Sequence, residues 1–105
     1  MTIGVIGQGY VGTAIKLGFQ EHYKVSTYDK FDLAKSTHSK ISDLVEETKI
    51  IFVCVPTPMR KDGTCYTGIV EEVIREINET ATDHIVVIKS TVPPGTTDRI
   101  NQEYT

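Results

Sequence analysis

The stretch GQGYVG, residues 7–12, decides the fold, because three glycines stand there between two different hydrophobic patterns. Residues 3–6 before it form a short apolar run typical of a buried strand. After it, apolar residues recur at spacings of three and four along residues 11–19, which predicts one apolar face of a helix. The glycines therefore lie at a strand–turn–helix junction, the context in which a GxGxxG pattern predicts a turn that binds a pyrophosphate. Glycines needed only for a tight turn are the alternative.

Each glycine of such a turn has its own physical task. The first permits the tight bend, the second lets the backbone approach the pyrophosphate, and the third lets the helix pack closely on the strand. Gly7, Gly9 and Gly12 occupy these three places. The N-terminus of the following helix adds free N–H groups and a partial positive charge for the phosphates.

The rest of the chain alternates between apolar runs and amphipathic segments, a pattern that predicts parallel strands joined by crossover helices. We expect one α/β domain over residues 1–105, a Rossmann-type, doubly wound, mainly parallel sheet with helices on both faces. Ser42 and Thr67 are the expected N-caps of the second and third helices. Residues 30–41 are polar and carry no pattern. The predicted strands cover residues 3–6, 24–28, 50–55 and 84–89, and the predicted helices cover residues 11–19, 42–47, 69–77 and a last stretch from residue 96 or 97.

A carboxylate at the end of the second strand is an independent sign of a dinucleotide site. Asp29 follows the predicted strand at residues 24–28 and stands 17 positions after Gly12, near the spacing of about 20 that such sites show. There it would accept hydrogen bonds from the adenosine ribose and repel a ribose 2′-phosphate, which favours NAD over NADP. The neighbouring Lys30 weakens that preference, and a solvated turn residue is the alternative interpretation of Asp29.

Two further loops follow predicted strands, VPTP at residues 55–58 and STVPPGTT at residues 90–97. In an open α/β sheet, ligands bind beyond the carboxyl ends of the strands, where the strand order reverses. Prolines stiffen the backbone of these loops, and the hydroxyl groups of Ser90 and Thr91 can donate to or accept from a ligand. The loops are therefore predicted to border the same site as the glycines, with ordinary turn chemistry as the alternative.

The composition argues against several classes of partner and site. The formal net charge is -3 and no run of Lys or Arg occurs, which argues against nucleic acid and anionic membranes as partners. No apolar run approaches the roughly 20 residues of a membrane-spanning helix, and residues 1–10 do not resemble a secretory signal, so we expect a cytoplasmic protein. His22, His38 and His84 are too far apart in sequence for a metal-ligand pattern, and we predict no metal site.

In combination, four features resemble one known family. GQGYVG, Asp29, VPTP and KSTVPPGTT at residues 89–97 follow one another as in the N-terminal NAD-binding domain of the UDP-glucose/GDP-mannose dehydrogenase family. The resemblance covers almost the whole chain, and its most specific parts are the YVG ending and the STVPPGTT loop. It implies the activity of UDP-glucose 6-dehydrogenase-like enzymes. These oxidise the C6 alcohol of a nucleotide sugar to a carboxylate by two hydride transfers to NAD, with a catalytic cysteine that holds the intermediate.

The resemblance implies a role for each matching residue. Residues 7–12 would cradle the pyrophosphate, and Asp29 would hold the adenosine ribose. Residues of the VPTP loop would line the adenosine side of the cleft. Those after the fourth strand would lie near the nicotinamide and the reacting carbon, with Thr91 as an active-site helper. The implied cofactor-binding residues are Gly7, Gly9, Tyr10, Val11, Gly12, Asp29, Val55, Pro56, Thr57, Ser90, Thr91 and Val92.

The chain also departs from the family pattern. Met59 stands where members often have Thr, and Ala34 stands where a basic residue is common, so that Lys35 or Lys30 would have to substitute. The family's catalytic cysteine, its helper Lys and Asn, and its central and C-terminal UDP-sugar domains would all lie beyond residue 105. The chain is therefore expected to be a truncated member that holds the cofactor half alone.

A cofactor half of this kind would bind NAD and be inactive by itself. Cys54 in an apolar strand and Cys65 in a turn are poor replacements for the family's cysteine, because neither is placed to form a thiolate. A nucleotide sugar would bind only if the absent domain were supplied, and a monomer or a homodimer is expected. The main alternative is a stand-alone NAD/NADH sensor or docking module without catalysis. A dehydrogenase of β-hydroxy acids would share the glycines and Asp29 but would not explain STVPPGTT.

Overall fold

Four parallel strands and three helices make up the described part of the chain. The computed structural model describes residues 2–30, 32–57, 61–63, 68–80 and 84–90. The predicted cap Thr67 and the predicted last helix lie outside these residues. The strands are β1 (Thr2–Ile6), β2 (Lys24–Tyr28), β3 (Ile50–Val53) and β4 (Ile85–Ile88); the helices are α1 (Tyr10–Phe19), α2 (Ile41–Glu47) and α3 (Gly68–Thr80), with a 3₁₀ turn at Leu33–Lys35.

β1 and β3 lie side by side at the centre of the sheet, whose strand order is β2-β1-β3-β4 and whose pairings are all parallel. The chain leaves β1 to one side to form β2, then returns past β1 to form β3 and β4 on the other side. The strand order therefore reverses between β1 and β3. The carboxyl ends of those two strands are the place where an open α/β sheet binds its ligand. The predicted doubly wound parallel sheet is confirmed.

Helices lie on both faces of this sheet. α2 and α3 pack on one face against Ile6, Ile51 and Val53, which are buried. On the other face, the ring of Phe19 at the end of α1 lies 5.6 Å from that of Phe52. Phe52 points away from its neighbours Ile51 and Val53 because side chains alternate along a strand. The main core lies between the sheet and helices α2 and α3, and its buried members are Ile6, Ile41, Leu44, Val45, Ile51, Val53, Val70, Val73, Ile74 and Ile77.

The hydrophobic periodicity correctly predicted where α1 and α3 form, but it did not predict how far the apolar face of each helix is buried. α3 buries its predicted stripe apart from Ile69, which is half-buried and lines a cavity. Within α1, by contrast, Gly12 is the one buried residue, Val11 is 46% exposed, and Ala14 and Gly18 are exposed. The spacing of apolar residues shows which of them share a helix face, but it does not show how much of that face the sheet covers.

Two predicted boundaries are wrong. Ser42 is not the N-cap of α2, because the helix already includes Ile41, whose side chain is 7% exposed and belongs to the core. The third strand ends at Val53 rather than at residue 55. Pro56 has no N–H to give to a strand ladder, and the chain leaves the sheet shortly before it.

The polar segment without a sequence pattern covers the outer edge of β2. The backbone N–H groups of Thr37 and His38 donate to the Thr27 carbonyl at 3.0 and 3.2 Å, and the Thr27 N–H donates to Thr37 Oγ1 at 2.8 Å. The Thr27 hydroxyl donates to the Lys35 carbonyl at 2.7 Å. These bonds occupy backbone groups that an edge strand would otherwise leave open to pairing with another chain.

A charge cluster holds this edge segment against α2. Lys24 Nζ lies 2.8 Å from Glu47 Oε1, and His38 Nε2 lies 2.7 Å from Glu47 Oε2. The Ser26 hydroxyl also donates to Glu47 Oε1 at 3.4 Å. The hydrogen bond from Lys24, followed by that from His38, lowers the pKa of Glu47 from 4.5 to about 2. One carboxylate thus joins the start of β2, the edge segment and the end of α2.

The low pKa of Glu47 predicts acid sensitivity. Because the folded pKa lies below the unfolded value of 4.5, the carboxylate contributes stability that is present above about pH 4.5 and is lost as the pH falls towards 2. Glu47→Gln should lower the melting temperature at pH 7 and flatten its decline between pH 4.5 and pH 2, as followed by circular dichroism. The matched control is Glu46→Gln, since Glu46 is the exposed neighbour on the same helix. Identical pH profiles for the two variants would contradict the assigned role of the cluster.

Candidate functional site

Gly7 forms the turn at the carboxyl end of β1. Its φ is +98°, a conformation that residues with side chains rarely adopt. A Cβ at this position would come within 2.5 Å of the Cys54 carbonyl oxygen and 3.0 Å of the Val55 nitrogen. The absence of a side chain therefore permits both the bend and the contact between the ends of β1 and β3.

The other two glycines of the turn differ in what surrounds them. A Cβ on Gly12 would overlap the carbonyl oxygen of Gly7, so the first turn of α1 can pack on the loop only with glycine there. A Cβ on Gly9 would meet no atom of the chain within 4 Å. The fold thus explains Gly7 and Gly12 by close approach within the chain, while the space at Gly9 is open to a ligand.

α1 begins at this open position. Its N-cap is Gly9, so no N-cap side chain bonds to the first N–H groups of the helix, and no acidic residue lies in the first turn. The N–H groups of a helix's first turn have no partner within the helix, and they carry the positive end of its dipole. The start of α1 next to Gly9 therefore favours an anion.

Asp29 is held against the glycine turn by backbone hydrogen bonds. The Gln8 N–H donates to Asp29 Oδ2 at 2.8 Å, and the Gly7 N–H donates to the Tyr28 carbonyl at 2.7 Å. The Asp29 N–H in turn donates to the Ser36 hydroxyl at 2.8 Å. The structure thus brings the predicted acidic residue directly beside the predicted turn.

Gln8 has a structural role that sequence reasoning missed. Its side chain is 3% exposed, and its Nε2 donates to the Gly7 carbonyl at 3.1 Å. The Thr13 hydroxyl donates to the Gln8 carbonyl at 3.0 Å. Gln8 occupies a position of the GxGxxG pattern that accepts any residue, so no sequence signal marked it. Its buried amide and its backbone together fix the conformation of the turn.

A cavity of about 140 Å³ opens beside Asp29. This volume is smaller than the roughly 300 Å³ or more of a pocket for a whole ligand, so the cavity suits one part of a dinucleotide. Thr57 is half-buried on the loop after β3 but does not line the cavity. The ends of three strands, the first residue of α2 and one side of α3 contribute the lining residues, which are Ile6, Gly7, Tyr28, Asp29, Lys30, Ile41, Val55, Pro56, Ile69, Glu72, Val73 and Glu76.

The two basic residues considered as substitutes lie on different sides of the turn. Lys30 lines the cavity next to Asp29. Lys35 lines a shallow surface groove with Gly9 and Tyr10, and its Nζ lies 3.9 Å from Asp32 Oδ2. Tyr10 is 99% exposed and Val11 46% exposed at the start of α1. Lys30 thus lies on the Asp29 side of the turn, and Lys35 lies on the side where α1 begins.

Ser90 joins the loops that follow β3 and β4. Its hydroxyl donates to the Val55 carbonyl at 2.7 Å, and its N–H donates to the Val53 carbonyl at 3.2 Å. The two loops are therefore held together at the same rim of the sheet as the glycine turn. Thr91 and Val92, predicted beside Ser90, lie outside the described residues, as do Pro58 and Met59.

Cys54 follows β3 directly and is half-buried. Burial raises the pKa of its thiol from 9.0 to about 11, so the thiol stays protonated at neutral pH. Its N–H donates to the Ile6 carbonyl at 2.7 Å, which fixes the end of β3 on β1. This agrees with the expected burial of the Cys54 thiol, whereas Cys65 lies outside the described residues.

Neither a metal-ligand cluster nor a membrane-spanning helix is found in the described part of the chain. No group of three His, Cys, Asp or Glu residues there is arranged to hold a metal ion. No described helix is both long enough and apolar enough to cross a bilayer. The side chains of two of the three histidines contact other parts of the chain. His38 contacts Glu47, and His84 Nε2 lies 2.7 Å from the Val45 carbonyl oxygen.

Comparison with known proteins identifies the family of this chain. The family model described as "UDP-glucose/GDP-mannose dehydrogenase family, NAD binding domain" matches residues 32–105. A UDP-glucose 6-dehydrogenase of Haloferax volcanii is 30% identical in an alignment that covers 92% of this chain and 30% of the relative. The chain spans 14–16% of the length of three further curated relatives that it matches.

Two solved structures have the same fold. A UDP-glucose dehydrogenase from Pyrobaculum islandicum gives a TM-score of 0.84 at 26% identity, covering 98% of this chain and 32% of that one. A ternary complex of GDP-mannose dehydrogenase from Pseudomonas aeruginosa gives 0.85 at 26% identity, covering 95% of this chain and 30% of that one. A coverage of 98% includes the glycine turn at residues 7–12, which the family model does not reach.

The atoms around each glycine predict how its substitution by alanine changes the free energy of unfolding, and the prediction differs at three positions. Gly12→Ala should lower the free energy of unfolding by roughly 2 kcal/mol or more, since its Cβ overlaps the Gly7 carbonyl. Gly9→Ala should lower it by no more than about 1 kcal/mol, the typical cost of alanine at an N-cap, because its Cβ meets no atom of the chain. Gly18→Ala, at an exposed helix position with open space around it, should raise it by up to about 1 kcal/mol. Urea unfolding measures all three, and equal losses for Gly9→Ala and Gly12→Ala would contradict the assignment.

Proposed function

The chain belongs to the UDP-glucose/GDP-mannose dehydrogenase family and holds its NAD-binding domain. From this premise we propose that the turn at residues 7–12 binds the pyrophosphate of NAD and that Asp29 binds the adenosine ribose. The observation that carries the proposal is the open space at Gly9, where no contact within the chain requires a glycine. This space adjoins the N-terminus of α1, and the neighbouring Gln8 is bonded to Asp29.

The pyrophosphate is placed at Gly9 by the shape and charge of the turn. A ligand oxygen can approach the backbone closely there because no Cβ intervenes. The first N–H groups of α1, at Tyr10 and Val11, then donate to the phosphate oxygens, and the helix dipole favours their negative charge. Gly7 and Gly12 contribute by holding the loop in the conformation that exposes these groups.

The adenosine ribose is placed at Asp29. Ribose hydroxyls are donors, and an ionised carboxylate is an acceptor. The bond from the Gln8 N–H fixes the carboxylate at a constant position relative to the phosphate turn, which suits a ligand that spans both. The adjoining cavity, bordered by Val55 and Pro56, then takes the rest of the adenosine. A 2′-phosphate at the same place would be repelled by Asp29, which favours NAD over NADP.

The nicotinamide side of the site lies at the loop after β4 in this proposal. Ser90 holds that loop against the loop after β3, so both border the reversal point of the sheet. The resemblance to the family assigns Thr91 and Val92 to the surroundings of the nicotinamide and the reacting carbon, and Thr91 stays a prediction as an active-site helper.

For the complete protein we propose oxidation of the C6 alcohol of a nucleotide sugar, in keeping with the names of the relatives. Bound NAD supplies a hydride acceptor. The part of the chain that the structure describes orients the cofactor but offers no activated thiol, since burial keeps Cys54 protonated. Residues 1–105 would thus form a single cofactor domain that binds NAD without catalysing the reaction alone. The nucleotide sugar would be bound by the central and C-terminal domains of the family.

Calorimetric titration of the purified chain tests the phosphate site. The wild-type chain should bind NAD⁺ saturably, and Gly9→Ala should weaken binding at least tenfold, about 1.4 kcal/mol, because its Cβ fills the space next to the pyrophosphate. Gly18→Ala is the matched control, a glycine with equally open surroundings on the same helix, and should bind as the wild type does. Unchanged affinity in Gly9→Ala, or no binding by a folded wild-type chain, would contradict the proposal.

The ribose site is tested by removing the charge of Asp29 while keeping an acceptor for the Gln8 N–H. Asp29→Asn should weaken NAD⁺ binding roughly tenfold, since hydrogen bonds to charged groups contribute about 1.5–3 kcal/mol. It should also narrow the difference in affinity between NAD⁺ and NADP⁺, because the repulsion of the 2′-phosphate is lost. If the ratio of the two affinities is the same in wild type and variant, Asp29 does not contact the ribose.

Production of NADH from UDP-glucose or GDP-mannose by the purified chain would overturn the expected inactivity.

A further inference from the structure

One side of the cavity beside Asp29 is acidic. Glu72 and Glu76 lie one helical turn apart on α3 and both line the cavity, with Glu76 half-buried and Glu72 exposed. The remaining lining is largely apolar and includes Val55, Pro56 and Ile69. A planar apolar group can therefore lie between these side chains while its edge faces a carboxylate.

The fold does not account for the two carboxylates. The packing face of α3 consists of the buried Val70, Val73, Ile74 and Ile77, so neither glutamate is needed to attach the helix to the sheet. Within the described residues neither takes part in an ion pair, whereas Glu47 is bound by both Lys24 and His38. Glu72 and Glu76 thus line the cavity without forming an ion pair among the described residues, although Lys30 lines the same cavity.

The position of the cavity indicates which part of the cofactor it takes. With the pyrophosphate at Gly9 and the ribose at Asp29, the base extends beyond Asp29 into the space between Pro56 and α3. Adenine carries an exocyclic amine, a hydrogen-bond donor, at the place where hypoxanthine and guanine carry a carbonyl acceptor. A carboxylate accepts from the amine and repels the carbonyl.

We propose that Glu76, assisted by Glu72, accepts a hydrogen bond from the adenine amine and so makes the site selective for adenine over 6-oxopurine dinucleotides. This inference rests on the proposed function, because it requires the cofactor to be bound at the glycine turn. It adds a specificity-determining residue on α3, an element from which sequence reasoning assigned no site residue.

The probe is nicotinamide hypoxanthine dinucleotide, which differs from NAD⁺ in having the carbonyl in place of the amine. Calorimetry should give about tenfold tighter binding of NAD⁺ by the wild-type chain, since a partly exposed charged hydrogen bond has only moderate strength. In Glu76→Gln the side-chain amide can donate to the carbonyl, so the ratio of affinities should fall to about threefold or less. Glu79→Gln, at an exposed position of the same helix outside the cavity, should keep the wild-type ratio.

The outcomes separate this inference from the proposed function. Equal binding of the two dinucleotides by the wild type overturns the inference alone. The inference alone is also overturned if the ratio of the two affinities keeps its wild-type value in Glu76→Gln and in the double variant in which Glu72 and Glu76 are both replaced by Gln. If the variants instead bind NADP⁺ more tightly at an unchanged ratio, the glutamates act by general charge repulsion and the inference is wrong. Failure of a folded chain to bind either dinucleotide overturns the proposed function, and this inference with it.

Discussion

The close approach of three strand ends at Gly7 is the constraint on which the rest of the structure depends. The Gly7 N–H donates to Tyr28 at the end of β2, and the Cys54 N–H after β3 donates to Ile6 at the end of β1, both at 2.7 Å. A side chain at Gly7 would collide with the Cys54 carbonyl. Because the three strands converge on a residue that lacks a side chain, the loops that follow them share one cavity although they are distant in sequence.

The site follows from the same constraint. Gly7 and Gly12 are required by contacts within the chain, while Gly9 faces open space at the start of α1. The hydrogen bond from the Gln8 N–H to Asp29 holds the turn against the end of β2. The proposed phosphate and ribose positions are therefore joined by a hydrogen bond within the chain rather than being two independent contacts. Such preorganisation reduces the conformational entropy that the turn itself loses when a ligand binds.

Local signals allowed much of this to be predicted from the sequence. The change of hydrophobic period around residues 7–12 and the distance from Gly12 to Asp29 correctly gave the positions of the turn and the first helix and the proximity of Asp29 to the turn. Contacts between distant segments left no such signal. The bonds of residues 35–38 to Thr27, the burial of Gln8 and the glutamates beside the cavity all depend on tertiary packing. The exposure of Val11 on α1 has the same origin, since periodicity does not reveal what covers a face.

The binding of NAD at the reversal point between β1 and β3 is tested most directly by nuclear magnetic resonance of the isotope-labelled chain during titration with NAD⁺. The amide shifts should change most at residues 7–12, at residues 29 and 30, and at residues 55 and 57, while those of the α1 C-terminal half and of the Glu47 cluster stay nearly constant. Large changes confined to the exposed face of α1, or to any region away from the carboxyl ends of β1, β2 and β3, would contradict this placement.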